Sequence, residues 1–359
     1  ATNSSFTLDL VDITDNTTAT LVATDLSVTT FYRVEIVSGA CTTYSATGTV
    51  TVSPQTVGGT VSGGANVCTG TNSTTLTLSG QVGNVVRWES STYADFSDLI
   101  VPINTTATSY TATNLTTTTY YRAVVQSGAC SEEYSLAASV IVSAEAIGGT
   151  ASGGTSVCTG TNSTPLSVTG YSGTTLQWQS STDNITFGTN ISGATTASYT
   201  ANNLTATRYY RVMVKRGACT AYSSSTTVTV NPVSVGGTIA GSTTTCTGSN
   251  STVLTLSGNT GSVIKWQSSP TSDFSSNVSD IAHTGASYTA SNLNATTYYR
   301  AVVQSGACAA VYSGSATITI SEASNGGTVI GDDTVCSGTN ATLLTLTGYS
   351  GTVSNWQWS

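Results

Sequence analysis

Charge is nearly missing from this chain. Only 7% of its 359 residues are Asp, Glu, Lys or Arg, against about a quarter in an ordinary globular protein. The few present lean acidic, 17 Asp and Glu against 9 Lys and Arg, for a net charge of −8. Without a basic stripe nothing neutralises phosphates, so nucleic acid is excluded as a partner. Histidine occurs once, at His283. No repeated Ser/His/Asp or Cys/His set exists, and nucleophilic catalysis has no constellation to run on. No run of about 20 apolar residues is long enough to cross a bilayer. No CxxC pair suggests zinc, and no signal peptide is visible. No segment carries the 3.6-residue period of an amphipathic helix, so no glycine-rich loop leads into a helix to cradle a phosphate. The reading is therefore of a non-enzyme, with no catalytic, cofactor-binding or metal residues and no cofactor.

What is there is one pattern written four times. Gly-Gly-Thr opens it at Gly58, Gly148, Gly236 and Gly326, and Cys-[TS]-Gly-[TS]-Asn follows at Cys68, Cys158, Cys246 and Cys336. A tryptophan stands twenty residues after each of these cysteines, at Trp88, Trp178, Trp266 and Trp356. An aromatic-Tyr-Arg triplet and Gly-Ala-Cys then close the pattern: Tyr121 to Cys130, Tyr210 to Cys219, Tyr299 to Cys308. A period of 88 to 90 residues is too long for a solenoid unit and suits a small self-contained domain. The spacing predicts whole repeats at 58–147, 148–235 and 236–325. It also predicts a C-terminal part at 1–57, which holds Phe31-Tyr32-Arg33 and Cys41, and an N-terminal part at 326–359. Two partial repeats imply a window onto a longer polypeptide.

Within 58–147, Thr75-Leu76-Thr77-Leu78 alternates as a half-buried strand does, and Gly80 and Gly83 mark the turn after it. Val61 opens a first strand. Val86 and Trp88 are expected to share one face of the next, with Arg87 and Glu89 on the other. Residues 91–108 read as a long loop with one weak strand. Tyr110-Thr111-Ala112 is a strand, Tyr121, Ala123 and Val125 alternate inward on another, and Val140 and Val142 belong to the last. The fold class predicted is all-β: tandem Ig-like or fibronectin-like antiparallel β-sandwiches forming an extended rod. Joints such as Ser143-Ala144-Glu145-Ala146-Ile147 are short and lack a flexible tether, and each repeat should advance the axis by roughly 35–45 Å. Trp88, Trp178, Trp266 and Trp356, with Tyr32, Tyr121, Tyr210 and Tyr299, are the expected core markers. Leu115-x3-Thr119-x-Tyr121 looks like the tyrosine corner of Ig-like sandwiches, in which the phenol bonds a backbone group.

Eight cysteines at fixed repeat positions imply disulfides and an oxidising, extracellular compartment. Two pairings are open. The intradomain one joins Cys68–Cys130, Cys158–Cys219 and Cys246–Cys308, leaving Cys41 and Cys336 with partners outside the window. The sequential one joins Cys41–Cys68, Cys130–Cys158, Cys219–Cys246 and Cys308–Cys336. The shorter reach favours the first, and either bridge would add about 2–4 kcal/mol.

Other candidates have plainer readings. Asp9, Asp12 and Asp15 with Asn16 lack the spacing of a calcium loop, and Asp95/Asp98 and Asp273/Asp280 sit in the variable loop. Arg122, Arg211 and Arg300, beside Tyr120, Tyr209 and Tyr298, would either bind sugars or stack on a neighbouring filament along a row, or form cross-strand pairs such as Arg122 with Glu89. Asn72, Asn162, Asn250 and Asn340 are Asn-x-Ser/Thr sites, of consequence only where asparagine is glycosylated. Asp333-Thr334-Val335 resembles a Bacteroidota O-glycosylation motif.

The run Gly58-Gly59-Thr60, Val67-Cys68-Thr69-Gly70-Thr71-Asn72, Leu76-Thr77-Leu78-Ser79-Gly80, Arg87-Trp88-Glu89-Ser90-Ser91 and Tyr120 to Cys130 resembles the Ig-like repeats of giant Bacteroidota (flavobacterial) cell-surface adhesins, of the SprB gliding-motility type. The resemblance covers essentially the whole chain. It implies export by type IX secretion, outer-membrane anchoring outside this window, and a role in adhesion or gliding. The expected function is the structural stalk of a long adhesin whose surface or glycan target is bound elsewhere. Its nearest partners are the neighbouring repeats of the same chain. Alternatives are repeats that self-assemble into a filament or sheath, and a carbohydrate-binding array of a secreted enzyme.

Overall fold

A computed structural model describes residues 1–359 and contains strands but no α-helix. The chain divides into two compact units. One is Ala1–Thr150 with Thr169–Gln177 and Val212–Ser223; the other is Ala151–Val168 with Trp178–Arg211 and Ser224–Ser359. The first contains the repeat 58–147 and the second the repeat 236–325.

The repeat 58–147 is built from nine strands. They are β1 (Thr60–Ser62), β2 (Ala65–Cys68), β3 (Ser73–Ser79), β4 (Asn84–Ser91), β5 (Val101–Ile103), β6 (Ser109–Thr113), β7 (Thr119–Gln126), β8 (Glu133–Tyr134) and β9 (Ala138–Ser143). A small sheet has the order β6-β3-β1, and a larger one β2-β9-β7-β4-β5, with β8 paired to β7. Alternation decides the faces. Leu76 and Leu78 point inward from β3, while Tyr121, Ala123 and Val125 point inward from β7. Between them lies Trp88, fully buried, its indole N–H donating to Ala107 O at 2.9 Å. A tryptophan can sit this deep only if its N–H finds a partner. The repeat 236–325 has the same sheet orders and an equivalent core around Trp266, which donates to Gly285 O at 3.0 Å. Trp178 is likewise fully buried and donates to Thr196 O at 2.9 Å.

Three details depart from the sequence reading. The strand pairs are not all antiparallel: β2 runs parallel to β9, placing Cys68 opposite Ser143. Val86 does not share the face of Trp88. The β4–β7 register shifts at this point, Val124 pairing with Arg87 and Val125 with Val85. The bulge turns Val86 outward so that Val85 and Trp88 both reach the core. Ile264 is turned outward in the same way between Val263 and Lys265. Finally, Trp356 and Tyr32 are not core residues. Trp356 is 54% exposed, because 326–359 forms only the pair Thr328–Ile330 and Thr345–Thr347 and holds no Tyr-Tyr-Arg strand to cover the indole. Tyr32 is half-buried, in a segment without a tryptophan to pack on.

The paired glycines have a steric origin. A Cβ on Gly58 would overlap the carbonyl of Tyr134, and Gly148 and Gly236 meet Tyr222 and Tyr312 in the same way. The arriving chain lies flat against the short hairpin strand, and only glycine permits that approach.

The inward tyrosines make the fold sensitive to alkali. Burial, helped by the neighbouring Tyr110, Tyr199 and Tyr288, pushes the phenols of Tyr121, Tyr210 and Tyr299 up to about 12. A raised phenol favours the neutral, folded form. Its contribution is complete below the unfolded value of 10.0 and is lost as pH rises through about 12. Denaturation midpoints are therefore expected to be insensitive to these groups at about pH 9 and to fall steeply by about pH 11.5. Equal midpoints at the two pH values would refute this.

Candidate functional site: the joints between repeats

The asparagine of Cys-x-Gly-x-Asn is a clamp. Asn72 Nδ2 donates to Cys68 O at 2.7 Å and to Leu115 O at 2.8 Å, while its Oδ1 accepts from Leu115 N at 3.0 Å. Asn162 holds Leu204, and Asn250 holds Leu293, through the same bonds. The leucine six residues before each inward tyrosine is thus fixed through its backbone, and the inward tyrosine itself packs on Tyr110 with ring centres 5.6 Å apart. These amides are spoken for in the folded chain, where Asn72, Asn162 and Asn250 act as structural residues. Asn72→Ala removes three bonds at a half-buried site and is expected to lower the stability of its repeat by about 2 kcal/mol. Equilibrium denaturation measures this, and a neutral substitution would refute the clamp.

The arginines of Tyr-Tyr-Arg are also internal ties. Arg122 lies between two rings, 4.2 Å from the centre of Phe96 and 3.7 Å from that of Tyr134. Its guanidinium meets the buried Glu89 at 2.8 Å. Arg300 is held between Phe274 and Tyr312 and donates to Gln267 Oε1 at 2.8 Å. Arg33 lies between Phe6 and Tyr44. Arg211 stacks on Phe187 and donates to Gln179 Oε1 at 2.9 Å. The cross-strand pair of Arg122 with Glu89 is present; the aromatic walls were not foreseen, because Phe96 lies in the variable loop.

Other candidates also resolve into local structure. His283 Nε2 bonds Ser287 O at 2.6 Å and its ring packs on Tyr288. Asp280 accepts from Lys265 and Gln267, both at 2.7 Å, which holds its carboxyl below the usual range. Asp95 and Asp273 cap the backbone of Ser97 and Ser275. Asp9 accepts from Thr2 and Asn16 bonds Thr18 and Thr20. No three His, Cys, Asp or Glu side chains converge as a metal site.

The cysteines form a site that the sequence reading did not anticipate. The disulfides are Cys68–Cys219 and Cys158–Cys308, with Cα atoms 4.8 and 4.7 Å apart. The intradomain pairs Cys68–Cys130, Cys158–Cys219 and Cys246–Cys308 are not formed, nor are the sequential ones. Strand registers explain why. Cys68 stands opposite Ser143, at the end of β9 where the chain leaves the repeat. β7 is antiparallel to β9, with Thr119 opposite Val140. Its far end at Gln126, just before Cys130, therefore lies roughly 30 Å away at the other end of the sandwich, and a disulfide spans less than about 7 Å. Each bridge instead joins the departing end of one repeat to the arriving end of the next.

The seat for the bridge recurs. Gly217 presses on the Ser143 side chain, where a Cβ would overlap it. Ala218 N donates to Ser143 Oγ at 3.0 Å, and Cys219 Sγ lies 3.4 Å from Ser143 O. Gly306 presses on Asn231 in the same way, Ala307 N donates to Asn231 Oδ1 at 3.2 Å, and Cys308 Sγ lies 3.1 Å from Pro232 O. Gly-Ala-Cys is thus a docking hairpin. Its glycine has φ near +57° and +50° in the two joints, a conformation that favours glycine. In the chain-entropy account a bridge closing a span of 151 residues contributes about 5 kcal/mol.

A family model described as "Domain of unknown function (DUF8696)" matches residues 1–54, 57–144, 147–232 and 235–322. No curated protein matches the chain. Similar solved structures include the FN1–FN3 domains of chicken CNTN1, at 12% identity and a TM-score of 0.26, covering 75% of this chain and 99% of that one. Domains 3–5 of Drosophila OTK match at 10% identity and a TM-score of 0.31, covering 74% and 97%. The fibronectin(III)-like modules of Clostridium thermocellum CbhA match at 16% identity and a TM-score of 0.31, covering 47% and 92%.

Proposed function

The chain belongs to the DUF8696 family, and we propose that it is the non-enzymatic stalk of a long extracellular adhesin. The observation that carries this reading is the disulfide between successive repeats. A bridge that ties the departing end of one sandwich to the arriving hairpin of the next does little for a binding pocket and much for a joint under load. Disulfides also fit an oxidising compartment outside the cytoplasm, which supports the reading. Arg122, Arg211 and Arg300 are already engaged by Glu89, Gln179 and Gln267 and stacked on aromatic rings, so their guanidinium groups serve internal ties, which disfavours a carbohydrate-binding array.

The resemblance to gliding-motility adhesins extends the proposal to a cell-surface protein exported by type IX secretion, anchored at the outer membrane and used in attachment or gliding. Its adhesive target is bound by another part of the assembly. Electron microscopy of the native protein on cells and after purification tests the proposal. Single beaded threads reaching from the surface are the expected result. Thick, laterally ordered fibres would overturn it in favour of repeats that assemble into a sheath.

A further inference from the structure

Four cysteines carry free thiols: Cys41, Cys130, Cys246 and Cys336. Two of them occupy seats whose equivalents are bridged elsewhere in the same chain. Cys246 ends a strand, Thr243–Cys246, that runs parallel to Ala316–Ser321 with Cys246 opposite Ser321. Cys68 opposite Ser143 and Cys158 opposite Asn231 hold this position, and both are bridged. Cys130 occupies the other half of the seat. Its Sγ lies 3.7 Å from Ser53 O and 3.5 Å from Pro54 O, and Gly128, at φ +54°, presses on the Ser53 side chain. Cys219 and Cys308 hold that position and are bridged. Ser127 N also donates to Thr56 Oγ1 at 3.1 Å, as Ser305 N donates to Ser234 Oγ at 3.0 Å. One joint therefore has a docked hairpin with a free thiol, and another has a strand end with a free thiol.

We infer that Cys246 is the receiving half of a covalent joint whose partner is the Gly-Ala-Cys hairpin of a further repeat of this kind, and that Cys130 is the docking half whose partner is the strand-end cysteine of such a repeat. The partner's chemistry follows from the closed joints. The hairpin must carry glycine two residues before its cysteine, because a Cβ there would collide with the end of the last strand. It must present a backbone N–H to the side chain at that strand end, as Ala218 and Ala307 do. The inference goes beyond the stalk reading and holds equally for a sheath, since it concerns only which cysteine meets which. Bond formation uses a small disulfide such as oxidised glutathione as the oxidant. One cysteine thiolate attacks it, forming a mixed disulfide and releasing one glutathione thiolate. The second cysteine thiolate then attacks the protein sulfur and releases the other. Two electrons pass to glutathione, which leaves as two thiols carrying the two cysteine protons.

The test begins with the 359-residue chain, alkylated without reductant and mapped by mass spectrometry. Label is expected on Cys41, Cys130, Cys246 and Cys336 and absent from Cys68, Cys158, Cys219 and Cys308. Two extended chains are then refolded with oxidised glutathione. In one, Ser359 is followed by a second copy of residues 92–147, which completes the repeat begun at Gly326. In the other, a second copy of residues 58–89 precedes Ala1 and completes the repeat that contains Tyr32. Labelling of Cys246 in the first and of Cys130 in the second is expected to drop at least tenfold, with each found in a peptide linked to the added cysteine. A blue-shifted emission from the newly covered tryptophan reports that the added repeat has folded. The inference is overturned if either folded extension leaves its cysteine labelled like Cys336, or if Cys246 is found joined to Cys308. It is equally overturned if both extended chains fail to cover the tryptophan, since these halves would then not make the partner the joint requires.

Discussion

Stretched from its two ends in an oxidising buffer, the chain is expected to lengthen far less than its residue count allows. Between Cys68 and Cys308 lie 240 residues (308 minus 68), worth about 820 Å when fully extended. With both bridges intact the shortest covalent path is different. It crosses from Cys68 to Cys219, runs back along the 61 residues to Cys158 (219 minus 158), and crosses to Cys308. That path reaches only about 210 Å. The two closed spans overlap, so unfolding every sandwich cannot release the hidden length of the chain. Single-molecule force spectroscopy should show a roughly fourfold shorter contour for this segment before reduction than after it. Equal contour lengths in the two conditions would refute the bridging pattern and, with it, the mechanical argument. Reduction should also lower thermal stability, since each bridge constrains the unfolded chain over about 150 residues.

The second large effect is expected from Trp266→Ala. The indole is fully buried, its N–H is bonded to Gly285 O, and its ring packs on Tyr288 with centres 5.7 Å apart. Emptying that volume costs about 3–5 kcal/mol, much of the stability of a 90-residue domain, which is about 5–15 kcal/mol. Hydrogen exchange should lose protection in Ser262–Ser269 and Thr297–Gln304, while Asn84–Ser91 and Thr119–Gln126 keep theirs. Trp356→Ala is the control. That side chain is half-exposed, so the change should stay within about 0.5 kcal/mol. A comparable loss from both substitutions would show that the core assignment is wrong.

The strand pattern was legible because alternation is a local property. Leu76 and Leu78, or Tyr121, Ala123 and Val125, show their faces in the order of the letters alone. The buried tryptophans follow from their size and from the turn residues around them. The bulge at Val86 was not legible, because Val85-Val86 offers two apolar residues and only the pairing with β7 selects between them. Asn72 was legible as a repeated position but not as a clamp, since the carbonyl it holds is 43 residues away. Phe96 was missed because its loop varies in sequence, although a phenylalanine recurs there in each whole copy, as Phe96, Phe187 and Phe274, over an arginine that also repeats.

The cysteines mark the division most sharply. Composition and spacing by themselves determined that this is an all-β repeat protein with disulfides, built around Trp and Tyr. Which cysteine meets which was decided by tertiary structure alone. Parallel pairing of β2 with β9 carries Cys68 to the departing end, and the antiparallel run of β7 carries Cys130 to the arriving end. Sequence distance ranks Cys130 as the nearer partner of Cys68. The sandwich reverses that order, because two positions in one small domain can stand at opposite ends of its strands while a residue of the next domain stands beside the first.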